Sequence, residues 1–247
     1  DGATLDALEQ QALATPRPPR FAAALTSGDN VAVIAEFKRR SPSAGALESA
    51  GEPGPAALLY AEHGAAALSV LTDAPDFDGS LADLRAAADA APLPVLRKDF
   101  LVSRAELYRA RGAGAAAALL IVAMLEPGEL RDLLTAAAAV GLDCLTEVHD
   151  AAELDTALEA GADIIGINNR DLRSLNTDLV VAERLAPRVP GWITLVGESG
   201  IRSAGDVRRM RDAGCDAVLV GESLMRLDGE RRARALRSLT SVPRNPR

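Results

Sequence analysis

Aromatic side chains are scarce in this chain: one Trp, two Tyr and four Phe among 247 residues. Any core must therefore be built of Ala, Leu and Val, which suits helices laid closely on a sheet. A basic excess is also missing. With a net charge of −8, nothing neutralises a run of phosphates, so a nucleic-acid partner is not expected. A local positive pocket for a small anion remains open. Cysteine is limited to Cys144 and Cys215, both in apolar, strand-like runs that read as buried thiols rather than a disulfide or redox pair. The two histidines, His63 and His149, have no neighbours at metal-ligand spacing and read as structural. The longest apolar run, 112–125, is too short and too Ala-rich to span a bilayer. No leader is visible, so a cytoplasmic location away from membranes is expected. The chain opens at Asp1 without Met, as a piece of a longer product would.

What the chain does contain is a regular alternation. Candidate strands are 31–37, 67–72, 94–100, 117–124, 143–148, 163–168, 193–198 and 217–221. Between them, 81–90, 104–111, 127–139, 151–159 and 204–212 carry helical periodicity. Strand and helix in turn imply parallel strands with right-handed crossovers. His63-Gly64-Ala65, Ala113-Gly114-Ala115, Ala160-Gly161-Ala162 and Ala213-Gly214-Cys215 each precede an apolar run. A glycine there supplies the left-handed residue that ends a helix before the next strand. The length fits one (β/α)8 barrel, and no linker or charge block marks a second domain. A single α/β TIM-barrel domain over 1–247 is expected, with a short helical extension at 1–30 and a last helix and frayed tail at 227–247. The preamble could cover one end of the barrel. A loose GxGxxA at 112–117 lies between helix and strand, the reverse of the dinucleotide-binding order.

In a parallel barrel every strand delivers its C-terminal end to one face. Those ends carry Glu36 and Lys38, Thr72 and Asp73, Lys98 and Asp99, Glu147, Asn168 and Asn169, Glu198 and Ser199, and Glu222 and Ser223; the fourth strand ends bare. Two lysines and several carboxylates would then converge on one pocket, and buried charges are costly unless paired or used. Lys98 sits against an apolar wall, where a lysine can donate a proton or lose one and become a nucleophile. The last two strands end alike, Val196-Gly197-Glu198-Ser199-Gly200 and Val220-Gly221-Glu222-Ser223. Such glycine-bearing turns point backbone N–H groups at an anion, and the loops after strands seven and eight are the usual phosphate site.

Six segments carry a resemblance: 35–43 (AEFKRRSPS), 95–100 (VLRKDF), 146–150 (TEVHD), 166–172 (GINNRDL), 198–201 (ESGI) and 219–225 (LVGESLM). They resemble, in order over roughly 20–226, the indole-3-glycerol phosphate synthase family. The resemblance implies a lyase of tryptophan biosynthesis that needs neither metal nor organic cofactor. Its substrate is a small phosphorylated molecule, 1-(2-carboxyphenylamino)-1-deoxyribulose 5-phosphate, which undergoes ring closure, decarboxylation and dehydration. It further implies that Lys98 is the general acid at the ketone and that Lys38 holds the substrate carboxylate. Glu147 would move protons in the dehydration, with Glu36 and Asn168 supporting, and Glu198 would orient the lysines. Ser41, Ser199, Gly200, Gly221, Glu222 and Ser223 would surround the phosphate or carboxylate. Phe77 and Phe100 would pack the aromatic ring, with Arg170 at its border. Two departures stand out: the preamble is short and Pro-rich where an N-terminal helix over the site is usual, and Ala44 stands where many members carry Lys. A monomer is expected.

Three other readings compete. A Schiff-base aldolase would use Lys98 as its nucleophile. A phosphoribosylanthranilate isomerase would need a Cys/Asp pair at opposite strand ends, whereas Cys144 lies in mid-strand. A non-catalytic barrel would serve as a scaffold in a pathway complex.

Overall fold

The structure is a computed structural model that describes residues 3–41, 45–47, 51–171 and 174–245. Eight parallel strands close into a barrel in chain order. We number them β1 (Ala32–Phe37), β2 (Ala67–Leu71), β3 (Val95–Lys98), β4 (Ala117–Ile121), β5 (Asp143–Val148), β6 (Ile164–Asn168), β7 (Thr194–Glu198) and β8 (Ala217–Val220). Each of the eight barrel strands lies within a predicted segment; a separate two-stranded pairing of Arg40–Ser41 with Gly45–Ala46 lies outside them. The largest excess is after Ile121, where Val122–Met124 turns into a 3-10 helix. The predicted glycine junctions hold: Gly64, Gly114, Gly161 and Gly214 all have positive φ. Gly141, also at positive φ, makes a further junction, before β5.

The strand period of two sorts the core into two shells. Val33, Ala35, Leu68, Val70, Leu120, Ile165, Ile167 and Val218 face the surrounding helices. Ile34, Leu96, Leu119, Leu145, Val196 and Leu219 fill the barrel interior. The pairing register then sets height. Ser69 of β2 pairs with both Glu36 and Leu96, and β3 continues one pleat past Leu96 to Lys98. The same step repeats from Lys98 to Glu147, from Glu147 to Glu198 and from Glu198 back to Glu36. The odd strands therefore contribute one layer of four inward side chains, Glu36, Lys98, Glu147 and Glu198. Beneath it, past an even-strand layer of Ser69, Leu119, Gly166 and Leu219, lies an apolar odd-strand layer of Ile34, Leu96, Leu145 and Val196. Alternate strands supplying successive layers is the expected filling of such a barrel.

The N-terminal extension closes the opposite end. The helix Phe21–Thr26 inserts the fully buried Phe21 and Leu25 into the interior cluster. Helix Leu5–Ala14 lies along helix Arg104–Gly112 instead. Neither reaches the polar end of the barrel. The expectation of a frayed tail after the last helix, Gly229–Thr240, is corrected. Val242 is buried, Pro243 bridges to Asn30, and the Arg244 guanidinium donates to the carbonyls of Leu25 (2.7 Å), Thr26 (3.3 Å) and Asp216 (3.3 Å). Those carbonyls sit at the closed end, and the Asp216 carbonyl also accepts from the Ala32 N–H.

Candidate active site

A cavity of about 690 Å³ opens at the C-terminal end of the strands. Lys98, Glu147, Lys38, Glu36 and Asn168 line it, as do Ser41, Phe77, Phe100, Arg170, Glu198, Ser199, Gly200, Gly221, Glu222 and Ser223. The strand-end reading was too generous elsewhere. Asn169 follows Asn168 by one residue and so faces outward, where its amide donates to the Glu198 carbonyl at 2.9 Å. Thr72 also turns away: it accepts from Arg97 Nε at 2.9 Å and donates to Asp99. Ala44 lies outside the described residues.

The floor is a chain of ion pairs. Lys98 Nζ lies 3.0 Å from Glu147 Oε2 and 3.3 Å from Glu198 Oε2. Asn168 Nδ2 donates to the other Glu147 oxygen at 3.0 Å. Lys38 Nζ donates to Glu36 Oε1 at 2.7 Å. Glu36, rather than Glu198, thus contacts Lys38, and Glu198 contacts only Lys98 of the two. His149, expected to be structural, lies 3.2 Å from Glu147 Oε1.

Burial penalises every charge here, and the neighbours decide the outcome. Burial alone would lower Lys98, but Glu147, Glu198 and Glu36 outweigh it and keep the ammonium charged well above the usual lysine range. Burial alone would raise Glu147, but Lys98, His149 and Asn168 hold it far below the usual carboxylate range. Glu198 goes the other way: burial, reinforced by the negative charge of Glu147, pushes it up to about 7 despite Lys98. The floor therefore presents a committed cation beside a committed anion, with a third group close to neutrality in pH.

Two glycines make this floor possible. A Cβ at Gly221 would overlap Glu36 Oε1 and come within 2.8 Å of its Cδ. A Cβ at Gly166 would overlap Glu198 Oε1 and come within 3.1 Å of its Cδ. Gly166 sits at an interior position of β6 and Gly221 just past the end of β8, both against the charged layer.

The walls differ in chemistry. Leu71, Phe77, Phe100, Leu119, Ile121 and Met124 line the side served by β2–β4. The Phe77 and Phe100 rings stand 6.5 Å apart. Gly79 lets this wall close, because any Cβ there would collide with the Leu71 backbone. Across the cavity, the loops after β7 and β8 bring Ser199, Gly200, Gly221, Glu222 and Ser223 together. Ser199 and Gly200 both have positive φ, and the Ser223 hydroxyl ties the loops by donating to the Ile201 carbonyl at 3.1 Å. Arg170, Arg202 and Arg226 add positive charge to the lining on that side. Glu222 keeps its side chain on Arg226 at 2.8 Å and Arg170 at 3.6 Å. Sequence reasoning had singled out neither Arg202 nor Arg226. Among the described residues no group of three or more His, Cys, Asp and Glu could hold a metal ion. Cys144 and Cys215 are free and buried, away from this cavity.

Fold and cavity together define a (β/α)8-barrel enzyme equipped for acid–base chemistry on a small anionic molecule. A sequence model described as "Indole-3-glycerol phosphate synthase" matches residues 2–237. The chain is 50% identical over 219 residues to "Indole-3-glycerol phosphate synthase 2" of Streptomyces coelicolor, covering 89% of this chain and 84% of that protein. It is 46% identical over 220 residues to "Indole-3-glycerol phosphate synthase" of Dehalococcoides mccartyi, covering 88% and 85%. The chain belongs to the indole-3-glycerol phosphate synthase family. A solved structure of an N-acetylmannosamine-6-phosphate 2-epimerase from Clostridium perfringens superposes with a TM-score of 0.64 at 16% identity, covering 85% of this chain and 93% of that one; it shares the fold alone.

Proposed function

We propose that this cavity converts 1-(2-carboxyphenylamino)-1-deoxyribulose 5-phosphate into indole-3-glycerol phosphate, with Lys98 as the acid that starts the reaction. The single observation that carries the assignment of Lys98 is its position between Glu147 and Glu198 at the centre of the floor. A lysine so flanked stays an ammonium. That supplies the protonated form an acid needs and counts against the Schiff-base reading, which needs a neutral amine.

The substrate's two ends suit the two walls. The phosphate is read into the loops after β7 and β8, where Ser199, Gly200, Gly221, Glu222 and Ser223 offer backbone N–H groups and hydroxyls. The aromatic ring is read into the wall of Phe77 and Phe100, with Arg170 at its border. Lys38, with Ser41 beside it, takes the ring carboxylate, and Glu36 holds Lys38 in place.

Ring closure brings the aryl carbon bearing the carboxylate onto the ketone carbon. The ketone oxygen gains negative charge and takes a proton from Lys98. The C–C bond to the carboxylate then breaks, carbon dioxide leaves, and the bond's electron pair stays with the ring and restores its aromaticity. In the dehydration the new hydroxyl takes a second proton, for which Lys38 is the other ammonium on the floor once the carboxylate has left, and departs as water while a proton leaves the adjacent carbon. Glu147, an ionised carboxylate next to Lys98, is the acceptor for that proton, and Asn168 keeps it aimed. Glu198 positions Lys98.

The test is product fluorescence from purified enzyme, with Lys98→Met and Glu147→Gln as variants. Lys98→Met should lower kcat by orders of magnitude with circular dichroism unchanged. Turnover at the parent level in that variant removes Lys98 from the chemistry.

A further inference from the structure

His149 stands outside the cavity lining, yet its imidazole is built into the floor from behind. Nε2 lies 3.2 Å from Glu147 Oε1, an ion-pair distance without hydrogen-bond alignment, and Nδ1 meets Glu153 Oε2 at 2.9 Å. The same Glu153 oxygen also accepts from the His149 backbone N–H at 2.7 Å. One carboxylate on helix Ala151–Ala160 therefore clamps both the backbone and the ring of His149. We propose that His149, clamped by Glu153, is a positioning residue that keeps the Glu147 carboxylate ionised and turned toward Lys98. This rests on the role given to Glu147 above.

The surroundings support an imidazolium. The groups that face it are Glu147 on β5 and Glu153 on the following helix, and Lys98 bears on it only through Glu147. Asp150, next in the chain, is committed to capping the helix, accepting from the N–H groups of Ala152 and Glu153 at 2.9 Å each. The neighbouring turn Val122–Met124 carries no titratable side chain. Burial would lower the imidazole, but the two carboxylates overcome it and raise it to about 10. A cation on one side of Glu147 and Lys98 on the other balance the acidic groups of the floor. Neither His149 nor Glu153 lines the cavity, so their removal should reach the reaction only through Glu147.

Two measurements decide the proposal. The chain has two histidines, so a His63→Gln background leaves His149 as the only imidazole for 15N NMR. Both ring nitrogens should be protonated at pH 8, and adding Glu153→Gln should lower the midpoint by about 1–3 pH units. Glu153→Gln keeps an acceptor for the backbone N–H and removes only the charge, so a purely structural clamp would leave turnover unmoved. In kinetics, His149→Gln and Glu153→Gln should each lower kcat about tenfold or more with KM within twofold. In a Glu147→Gln background neither should lower it further. A neutral His149 at pH 8, parent-like kcat in both variants, or losses that add to that of Glu147→Gln would each overturn the proposal. If His149→Gln does not fold, Glu153→Gln, on the outer helix, carries the test. Parent-like turnover in Glu147→Gln alone would instead overturn the role given to Glu147, while the NMR result still reports whether the imidazolium is built as described.

Discussion

Replacing Gly166 by Ala adds one methyl group to the floor and touches no proposed catalytic side chain chemically. The added Cβ would overlap Glu198 Oε1, approach its Cδ at 3.1 Å and meet Leu145 Cδ1 at 3.2 Å. Leu145 is fully buried in the interior layer below, so it has nowhere to go. The Glu198 carboxylate must give, by about 1 Å if ordinary van der Waals separation is to be restored. Overfilling of this kind costs about 1–3 kcal/mol of stability. The larger effect is on geometry. A displacement of about 1 Å among reacting or positioning groups lowers turnover by about 10²-fold, and Glu198 Oε2 stands only 3.3 Å from Lys98. The assay is product fluorescence under saturating substrate, with thermal melting alongside. Glu198→Asp supplies the control, because a side chain one methylene shorter withdraws from the space the new methyl needs. In that background Gly166→Ala should cost far less than in the parent, giving a coupling energy of about 0.5–3 kcal/mol between the two sites. Parent-like activity and melting in Gly166→Ala, or strictly additive losses in the double variant, would refute the steric reasoning.

Borohydride in the presence of substrate should leave no covalent adduct at Lys98 by mass spectrometry, because an ammonium flanked by Glu147 and Glu198 does not condense with a ketone. Glu198 should make stability fall with rising pH: its folded value of about 7 lies above the unfolded value near 4.5, so the folded state holds the extra proton between them and loses that advantage as pH climbs through 7. Denaturant titrations at pH 5 and 8 should therefore differ less in Glu198→Gln than in the parent, and an equal difference in both would remove Glu198 as the cause. Arg244→Ala should cost about 1.5–3 kcal/mol, read as a fall in melting temperature, because it strips a charged donor from the carbonyls of Leu25, Thr26 and Asp216. Cys144 and Cys215, each pushed up to about 12 by burial, should resist thiol reagents at pH 8 until the chain is unfolded, and rapid labelling in the native state would contradict their burial.

The charged layer was legible because alternation along a strand tells which residues face inward, and Glu36, Lys98, Glu147 and Glu198 each continue an apolar inward series. The same rule, applied residue by residue, turns Asn169 and Thr72 outward; grouping strand ends without it overcounted them. Height is different. Whether Glu36 and Glu198 stand level depends on how neighbouring strands are paired, and no single strand carries that information. Gly166 carried a faint signal, a glycine among β-branched residues in Ile164-Ile165-Gly166-Ile167, which marks a close approach without saying by what. The docked tail gave less still, since Arg244 and the Leu25 and Thr26 carbonyls it serves are more than two hundred residues apart and share no local pattern. His149 was passed over because it lacks metal-ligand spacing, whereas its partner Glu153 is simply one helical turn away on the next element. Register thus ties fold to chemistry more tightly than any motif does. A slip of one residue in any odd strand would turn one of the four charged groups out among the helices and bring an apolar side chain in. The pairing that fills the apolar layer of Ile34, Leu96, Leu145 and Val196 is the same pairing that gathers the ions above it. Selection for a well-filled barrel and selection for an assembled floor therefore act on one set of backbone hydrogen bonds.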